Sequence, residues 1–136
     1  MRVSDSHIRV RYAETDAQGV VYYANYLVWF EVGRGDYMRK MGMPYGELER
    51  RGQGVMIVEA SCRYHIPARF DEELVIKTWC DEVKRTSFRF RYEVRRAADD
   101  LLLATGHTVQ VFMDMAAGRP TAIPSDVRRL LMPAAE

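Results

Sequence analysis

The sequence predicts an α+β domain in which one antiparallel sheet curls around a single central helix, followed by a short C-terminal helix. Three observations predict it. One apolar segment near the N-terminus has the period of a helix, four later segments alternate between apolar and polar residues, and the turns between them are short and polar. The 136 residues suffice for one domain, residues 1–136, which buries roughly two thirds of the surface of its unfolded state.

The first strand and the central helix are predicted in the N-terminal third of the chain. Apolar and polar residues alternate over residues 7–12, as in a half-buried strand. Over residues 25–41 the apolar residues instead fall at helical spacing, and Gly42 followed by Pro44 is a stop signal. Because residues 26–30 are apolar on nearly every side, we expect this helix to be enclosed by the sheet.

Four antiparallel strands and a last helix are predicted after the central helix. The strands cover residues 56–65, 74–80, 87–95 and 101–113, and residues 124–131 have the pattern of a short helix. Polar turns separate the strands at residues 67–73, 84–86 and 98–100. A five-stranded antiparallel sheet wrapped around one central helix is the hotdog fold. Such a sheet leaves exposed edges, so we expect at least a homodimer.

Composition and charge exclude several classes of partner. The formal net charge is +1 and basic residues are interleaved with acidic ones, which predicts no binding to nucleic acid. The longest aliphatic stretch, residues 101–104, is too short to span a bilayer, and the N-terminus has no apolar leader, so we expect a cytoplasmic protein without a membrane span. Cys62 and Cys80 lie in strand-like segments at no metal-binding spacing and are interpreted as buried thiols.

A carboxylate stands shortly before the central helix, in the stretch DAQGVVYYANY of residues 16–26. From the residues alone two interpretations of Asp16 are open, because it is either a turn or capping residue or part of a reaction site. Gly19 permits a tight turn and lets a ligand approach the main chain without meeting a Cβ atom. Backbone N–H groups at the start of a helix lack intrahelical partners and favour negative charge.

This stretch resembles the signature of the 4-hydroxybenzoyl-CoA thioesterase-like acyl-CoA thioesterases, in which an aspartate, a glycine three residues later and a tyrosine-rich helix start occur together. Residues 67–71 (PARFD) are similar to the turn between the family's second and third strands, and residues 118–124 to its C-terminal ending. One branch of the family carries a histidine where this chain has Tyr23. This chain matches the tyrosine-bearing branch, so no role of that histidine is transferred.

The resemblance implies hydrolysis of acyl-CoA by a homodimer or a homotetramer. We expect no metal or organic cofactor, since no cysteine or histidine cluster accompanies the motif. Asp16 then acts as nucleophile or as general base, because both routes need an ionised group at nearly the same place. The backbone N–H of Tyr23 is the implied oxyanion donor. The implied substrate-binding residues are Gly19, Tyr22, Asn25, Tyr26, Val58 and Glu59. Candidates for binding the CoA phosphates, unless they form a solvated turn, are Lys84, Arg85 and Ser87.

Two other functions remain open at this point. A hotdog hydratase or dehydratase acting on acyl thioesters pairs a histidine with a carboxylate, yet the loop and helix around Asp16 contain no histidine. A non-catalytic module that binds acyl thioesters keeps the fold and the pocket but tolerates loss of the aspartate. The presence of Asp16 therefore favours turnover over simple binding.

Overall fold

The computed structural model describes residues 2–132 and contains the predicted sheet and helices. Its elements in chain order are β1 (Ser4–Arg9), a 3₁₀ turn (Tyr12–Glu14), α1 (Asn25–Lys40), α2 (Tyr45–Arg50), β2 (Gln53–Tyr64), β3 (Glu73–Val83), β4 (Ser87–Arg96), β5 (Leu102–Asp114), β6 (Arg119–Pro120) and α3 (Ser125–Leu131). The five long strands pair antiparallel in the order β1-β3-β4-β5-β2, and the short β6 pairs with β5. Helix α1 packs against one face of this sheet, and the apolar core lies between them. No helix among residues 2–132 has the length and hydropathy that a bilayer crossing requires.

The structure confirms the central helix, the four long strands and the last helix to within a few residues. The predicted first strand is wrong at its C-terminal end, because β1 stops at Arg9 and Tyr12 lies in the 3₁₀ turn with 77% of its surface exposed. Helix α2 and strand β6 are absent from the sequence prediction. Six and two residues are too few to show a period.

Two glycines allow α1 to lie close to the sheet. A Cβ atom on Gly33 of α1 would overlap the Thr78 hydroxyl of β3. A Cβ atom on Gly106 of β5 would overlap the backbone oxygen of Ser61 and stand 2.6 Å from the ring of Phe30. The close approach lets the Phe30 ring stack on that of Tyr92, with centroids 4.2 Å apart. The position of α1 therefore depends on the lack of a side chain at Gly33 and Gly106 as well as on the side chains that pack against the sheet.

Six exposed apolar side chains, which together we call the open face, lie on α1 and on β2, the strand at one edge of the sheet. They are Leu27, Val28, Val32, Met56, Ile57 and Val58. The expectation that residues 26–30 are enclosed is thus wrong for Leu27 and Val28 in the single chain. Val28 is 51% exposed, because the sheet covers only the opposite side of the helix, where Trp29 and Phe30 are buried.

Candidate active site

Asp16 occupies a tight turn between the 3₁₀ turn and α1. The Asp16 N–H donates to the Val20 carbonyl at 2.9 Å, and the Gly19 N–H donates to the Asp16 carbonyl at 3.0 Å. Gly19 has a φ of +81°, a conformation that glycine adopts without strain. Asp16 Oδ1 accepts a hydrogen bond of 2.9 Å from the Gln18 N–H, while Oδ2 has no hydrogen-bond donor among residues 2–132. One oxygen therefore holds the turn, and the other is left for a ligand.

A buried carboxylate, Glu14, ties this loop to α1. Its two oxygens accept hydrogen bonds from the Arg11 N–H at 2.8 Å and from the indole N–H of Trp29 at 2.9 Å. The Glu14 carbonyl accepts two more, from the Tyr22 N–H at 2.8 Å and from the side-chain amide of Asn25 at 2.9 Å. Only 5% of Glu14 is exposed. Glu14 could not be identified from the sequence, because it lies in a loop without periodicity and its partners are up to 15 residues away.

A pocket of about 260 Å³ opens beside Asp16, between the loop, the start of α1 and the end of β2. Its walls are Asp16, Val20, Val21, Tyr23, Tyr26, Tyr64, His65, Ile66 and Pro67. The structure thus brings together three of the predicted site residues. It also adds Tyr64, whose hydroxyl donates to the Tyr23 carbonyl at 2.9 Å, and His65. Burial raises the pKa of both Tyr26 and Tyr64, so each hydroxyl keeps its proton at neutral pH.

Two backbone N–H groups directly before α1 lack acceptors among residues 2–132. The N–H groups of Asn25, Tyr26 and Leu27 donate to the carbonyls three residues earlier, at 3.0 to 3.3 Å. The N–H groups of Tyr23 and Ala24 have no hydrogen-bond acceptor within the described range 2–132. Tyr23 also lines the pocket, so the residue that carries this N–H group and the residue that carries the Asp16 carboxylate belong to the wall of one cavity.

The remaining predicted substrate residues lie outside this pocket in the single chain. The Tyr22 ring packs on the Tyr23 ring with centroids 4.8 Å apart, and Asn25 has the structural hydrogen bond to Glu14 described above. Val58 is on the open face, 60% exposed. Glu59 lies on the face of the sheet that points away from α1, where its carboxylate is 2.6 Å from the His107 imidazole.

The predicted CoA residues are at the far end of the sheet from Asp16. Ser87 of β4 pairs with Val111 of β5, which in turn pairs with Met56 of β2. Tyr64, in the wall of the Asp16 pocket, is eight residues further along β2 than Met56, which corresponds to about 26 Å between the two residues. Lys84 and Ser87 instead line a cleft with Glu59, and the Lys84 ammonium is 3.3 Å from Glu82.

Comparison with known proteins identifies the family. The model of the thioesterase-like superfamily matches residues 10–131. The chain belongs to the thioesterase-like superfamily. It is 31% identical to the acyl-CoA thioesterase YbgC of Haemophilus influenzae over 122 residues, which cover 89% of this chain and 88% of that protein. The resemblance inferred from the stretch of residues 16–26 is therefore confirmed.

Solved structures confirm the hotdog fold. A hypothetical protein of Thermus thermophilus superimposes with a TM-score of 0.88 at 38% identity, covering 94% of this chain and 96% of that one. A 4-hydroxybenzoyl-CoA thioesterase superimposes with the same TM-score at 28% identity, over 96% of this chain and 99% of that one. The latter is an aspartate-to-asparagine mutant in complex with 4-hydroxybenzoyl-CoA.

Proposed function

We propose that the protein hydrolyses acyl-CoA thioesters to the free acid and CoA, with Asp16 as the reacting carboxylate. The observation that carries the proposal is that one pocket is lined both by Asp16, which has an oxygen without a donor among residues 2–132, and by Tyr23, whose N–H has no acceptor in the same range. Thioester hydrolysis needs these two functions, a group that attacks or activates water and a donor for the oxygen that becomes negative. Relatives named as acyl-CoA thioesterases support the reaction type.

The reaction then proceeds at the start of α1. The thioester carbonyl oxygen accepts from the Tyr23 N–H, where the partial positive charge of the helix start stabilises the developing oxyanion. Asp16 either attacks the carbonyl carbon, forming an anhydride that water cleaves, or takes a proton from water that attacks the same carbon. In both routes the C–S bond breaks and the CoA thiolate takes up a proton. The aromatic side chains of the pocket wall, Tyr23, Tyr26 and Tyr64, give the acyl group a surface to pack against.

A homodimer formed through the open face is part of the proposal. The free edge of β2 is 12 residues long, and the apolar residues beside it are too many to stay exposed in a stable monomer. A two-fold pairing of β2 with the β2 of a second copy satisfies the edge and covers Leu27, Val28 and Val32. A tetramer would add contacts elsewhere. A cytoplasmic location fits the free thiols of Cys62 and Cys80.

Dimerisation through β2 also gives the predicted CoA residues a role. Antiparallel pairing about the middle of β2 brings the far end of the partner's sheet next to the Asp16 pocket. Lys84, Arg85 and Ser87 of the partner subunit then flank the site that they cannot reach within their own chain. We therefore propose that the CoA phosphates are bound across the dimer.

The test compares the wild type with Asp16→Asn on a panel of acyl-CoAs, with release of free thiol as the measure. Asp16→Asn keeps the hydrogen bond to the Gln18 N–H and removes the charge, so it should fold, bind acyl-CoA and lose kcat by at least about 10²-fold. Asp99→Asn is the matched control, since Asp99 Oδ1 accepts from the Leu101 N–H in a similar turn outside the pocket. Near-normal kcat in Asp16→Asn would mean that Asp16 is only a turn residue. Glu31 and Glu59 would then be the next carboxylates to test.

One observation keeps a hydratase or dehydratase as the second candidate. His65, which is distant from Asp16 in sequence, lines the same pocket, so a histidine and a carboxylate do share it. Incubation with an enoyl-CoA separates the candidates, because hydration removes the conjugated absorbance without releasing thiol. We expect thiol release alone, and little change in its rate in His65→Gln.

A further inference from the structure

The Tyr64 side chain connects the end of the sheet to the start of the central helix. Its hydroxyl donates to the Tyr23 carbonyl at 2.9 Å, although the two residues are 41 positions apart in the sequence. Its ring meets the Tyr26 ring edge-on, with centroids 4.9 Å apart. Tyr64 and Tyr23 both line the Asp16 pocket. One hydrogen bond therefore joins two walls of the cavity.

The backbone around Tyr64 gives this bond a firm support. Tyr64 pairs with Ala104 of β5, and the N–H groups of His65 and Ile66 both donate to the Leu103 carbonyl, at 2.9 and 3.1 Å. Leu103 and Ala104 are fully buried in the core. Because a buried strand holds the end of β2 in this way, the Tyr64 hydroxyl has a fixed place relative to the sheet.

The bond from Tyr64 is the shorter of two that hold the Tyr23 carbonyl. Among residues 2–132 this carbonyl accepts one other hydrogen bond, from the Tyr26 N–H at 3.3 Å, which is beyond the usual N–H···O range of about 2.7–3.2 Å. On the other side of the residue, the Tyr22 carbonyl accepts from the Asn25 N–H at 3.0 Å. Tyr23 thus has a held peptide group on each side, and its own N–H belongs to the first of them.

The Tyr64 hydroxyl has no hydrogen to give to a substrate. A tyrosine carries one O–H donor, and the Tyr23 carbonyl accepts it. Burial raises the pKa of Tyr64, so the hydroxyl keeps its proton and the bond persists at neutral pH. Tyr64 therefore acts on the reaction through the backbone that it holds.

We infer that Tyr64 is a positioning residue, whose hydroxyl holds the start of α1 against the end of β2 and so keeps the Tyr23 N–H in place for the thioester carbonyl oxygen. This inference rests on the proposed function, in which that N–H stabilises the oxyanion. An oxyanion donor acts at about 2.7–3.1 Å from the oxygen, so a small shift of the helix start weakens it. The residue and its partner belong to one chain.

Tyr64→Phe tests the inference, because it removes the hydroxyl and keeps the ring that packs on Tyr26. We expect kcat for acyl-CoA to fall about tenfold with KM nearly unchanged, since the lost interaction matters mainly in the transition state. Tyr37→Phe is the matched control. Its buried hydroxyl faces the Leu131 carbonyl at 3.5 Å elsewhere in the core, so its loss should leave kcat near that of the wild type.

A second substrate separates positioning from proton donation. The phenyl thioester of the same acyl group releases a thiol of lower pKa, which leaves without an acid. Loss of positioning should lower kcat by the same factor with both thioesters, because both develop charge on the carbonyl oxygen. Recovery of wild-type kcat on the phenyl thioester would instead make Tyr64 a proton donor and overturn the inference.

The stretching frequency of the thioester carbonyl reports the hydrogen bond to it directly. In Asp16→Asn, acyl-CoA labelled with ¹³C at the carbonyl can be observed while bound, by isotope-edited infrared spectroscopy. A hydrogen bond lowers this frequency, so we expect the double variant Asp16→Asn, Tyr64→Phe to shift it upward, toward that of free acyl-CoA. The double variant Asp16→Asn, Tyr37→Phe should keep the frequency of Asp16→Asn.

The remaining outcomes separate this inference from the proposed function. Normal kcat in Tyr64→Phe, an equal fall in Tyr37→Phe, or a carbonyl frequency that Tyr64→Phe leaves unchanged would overturn the inference and leave the hydrolase assignment standing. Absence of thiol release from every acyl-CoA by the wild type would overturn the proposed function and the inference together.

Discussion

At the scale of single residues, two carboxylates in the loop before α1 have different roles. Glu14 holds the loop in place, and Asp16 is the proposed reacting group. Glu14 uses both oxygens to accept N–H donors and is buried, so it has no atom left for a substrate. Asp16, which lines the pocket, uses only Oδ1 in its turn, and its Oδ2 has no donor among residues 2–132. An acid whose acceptors are all occupied holds structure, whereas one with a free oxygen beside a cavity can react.

Replacing Glu14 tests the structural half of this division. Glu14→Gln keeps one acceptor oxygen and turns an NH₂ group toward either the Arg11 N–H or the Trp29 indole N–H, so one donor loses its partner. We expect the free energy of unfolding to fall by about 1–3 kcal/mol, measured by urea denaturation. We also expect lower kcat, because the loop positions Asp16 and Tyr23.

Glu47→Gln is the control for this change. Glu47 pairs with Arg50 on the surface of α2, and surface ion pairs contribute little, so stability should change by less than about 1 kcal/mol. Equal destabilisation by both substitutions would show that Glu14 contributes no more than a surface charge.

At the scale of elements, α1 and the sheet meet where glycines remove side chains. Gly33 and Gly106 lie on opposite sides of the contact, one on the helix and one on β5. Gly106 faces both the Phe30 ring and the Ser61 backbone. A side chain there would push α1 away from β5 and with it the helix start that carries the Tyr23 N–H.

Gly106→Ala tests this packing. The new methyl group meets the Ser61 backbone oxygen, which cannot move without disturbing the β2–β5 pairing, so we expect a loss of about 1–3 kcal/mol in the free energy of unfolding. Gly46→Ala is the matched control. Nothing lies within 4 Å of the added atom in α2, so it should stabilise the protein by up to about 1 kcal/mol. A neutral Gly106→Ala in thermal unfolding would show that the helix can shift freely.

The long elements were predictable from the sequence, whereas contacts between distant segments were not. Long elements were predictable because their periods repeat, as in Phe88, Phe90, Tyr92 and Val94, all of which are buried. The motif predicted that Asp16 and Tyr23 lie together at one site, and both line one pocket, whereas their catalytic roles stay predictions. Glu14, Tyr64 and His65 were not, because their roles depend on contacts between a loop and the end of β2 that no local pattern encodes. The steric role of Gly106 likewise exists only once Phe30 faces it.

At the scale of the whole molecule, the open face and the position of the CoA candidates lead to one arrangement. The protomer has a free β2 edge beside apolar residues. The hairpin between β3 and β4, which carries Lys84 and Arg85, lies about 26 Å from the Asp16 pocket of the same chain. The proposed two-fold pairing of β2 would account for both facts, since it would cover the apolar residues and bring each β3–β4 hairpin to the other protomer's pocket.

A charge on the open face should break this pairing. Val28 is 51% exposed in the protomer, so Val28→Lys is compatible with the folded chain but places an ammonium group in the proposed interface. We expect sedimentation to show monomer at low micromolar concentration, with thiol release strongly reduced. Val3→Lys is the matched control, since Val3 is 50% exposed and lies before β1 at the other edge of the sheet. Dissociation by both variants, or by neither, would contradict an interface on the open face.

The last prediction concerns binding of CoA across the dimer. Lys84→Ala combined with Arg85→Ala removes two positive charges from the hairpin, so we expect a higher KM for acyl-CoA and nearly unchanged hydrolysis of an acyl thioester that lacks the nucleotide. Equal loss on both substrates would mean that the hairpin acts structurally. In a heterodimer with an Asp16→Asn subunit, the one working Asp16 belongs to the chain with the altered hairpin and meets the intact hairpin of its partner. The KM of that heterodimer should therefore equal that of the wild type, whereas a raised KM would place the phosphate contacts within a single chain.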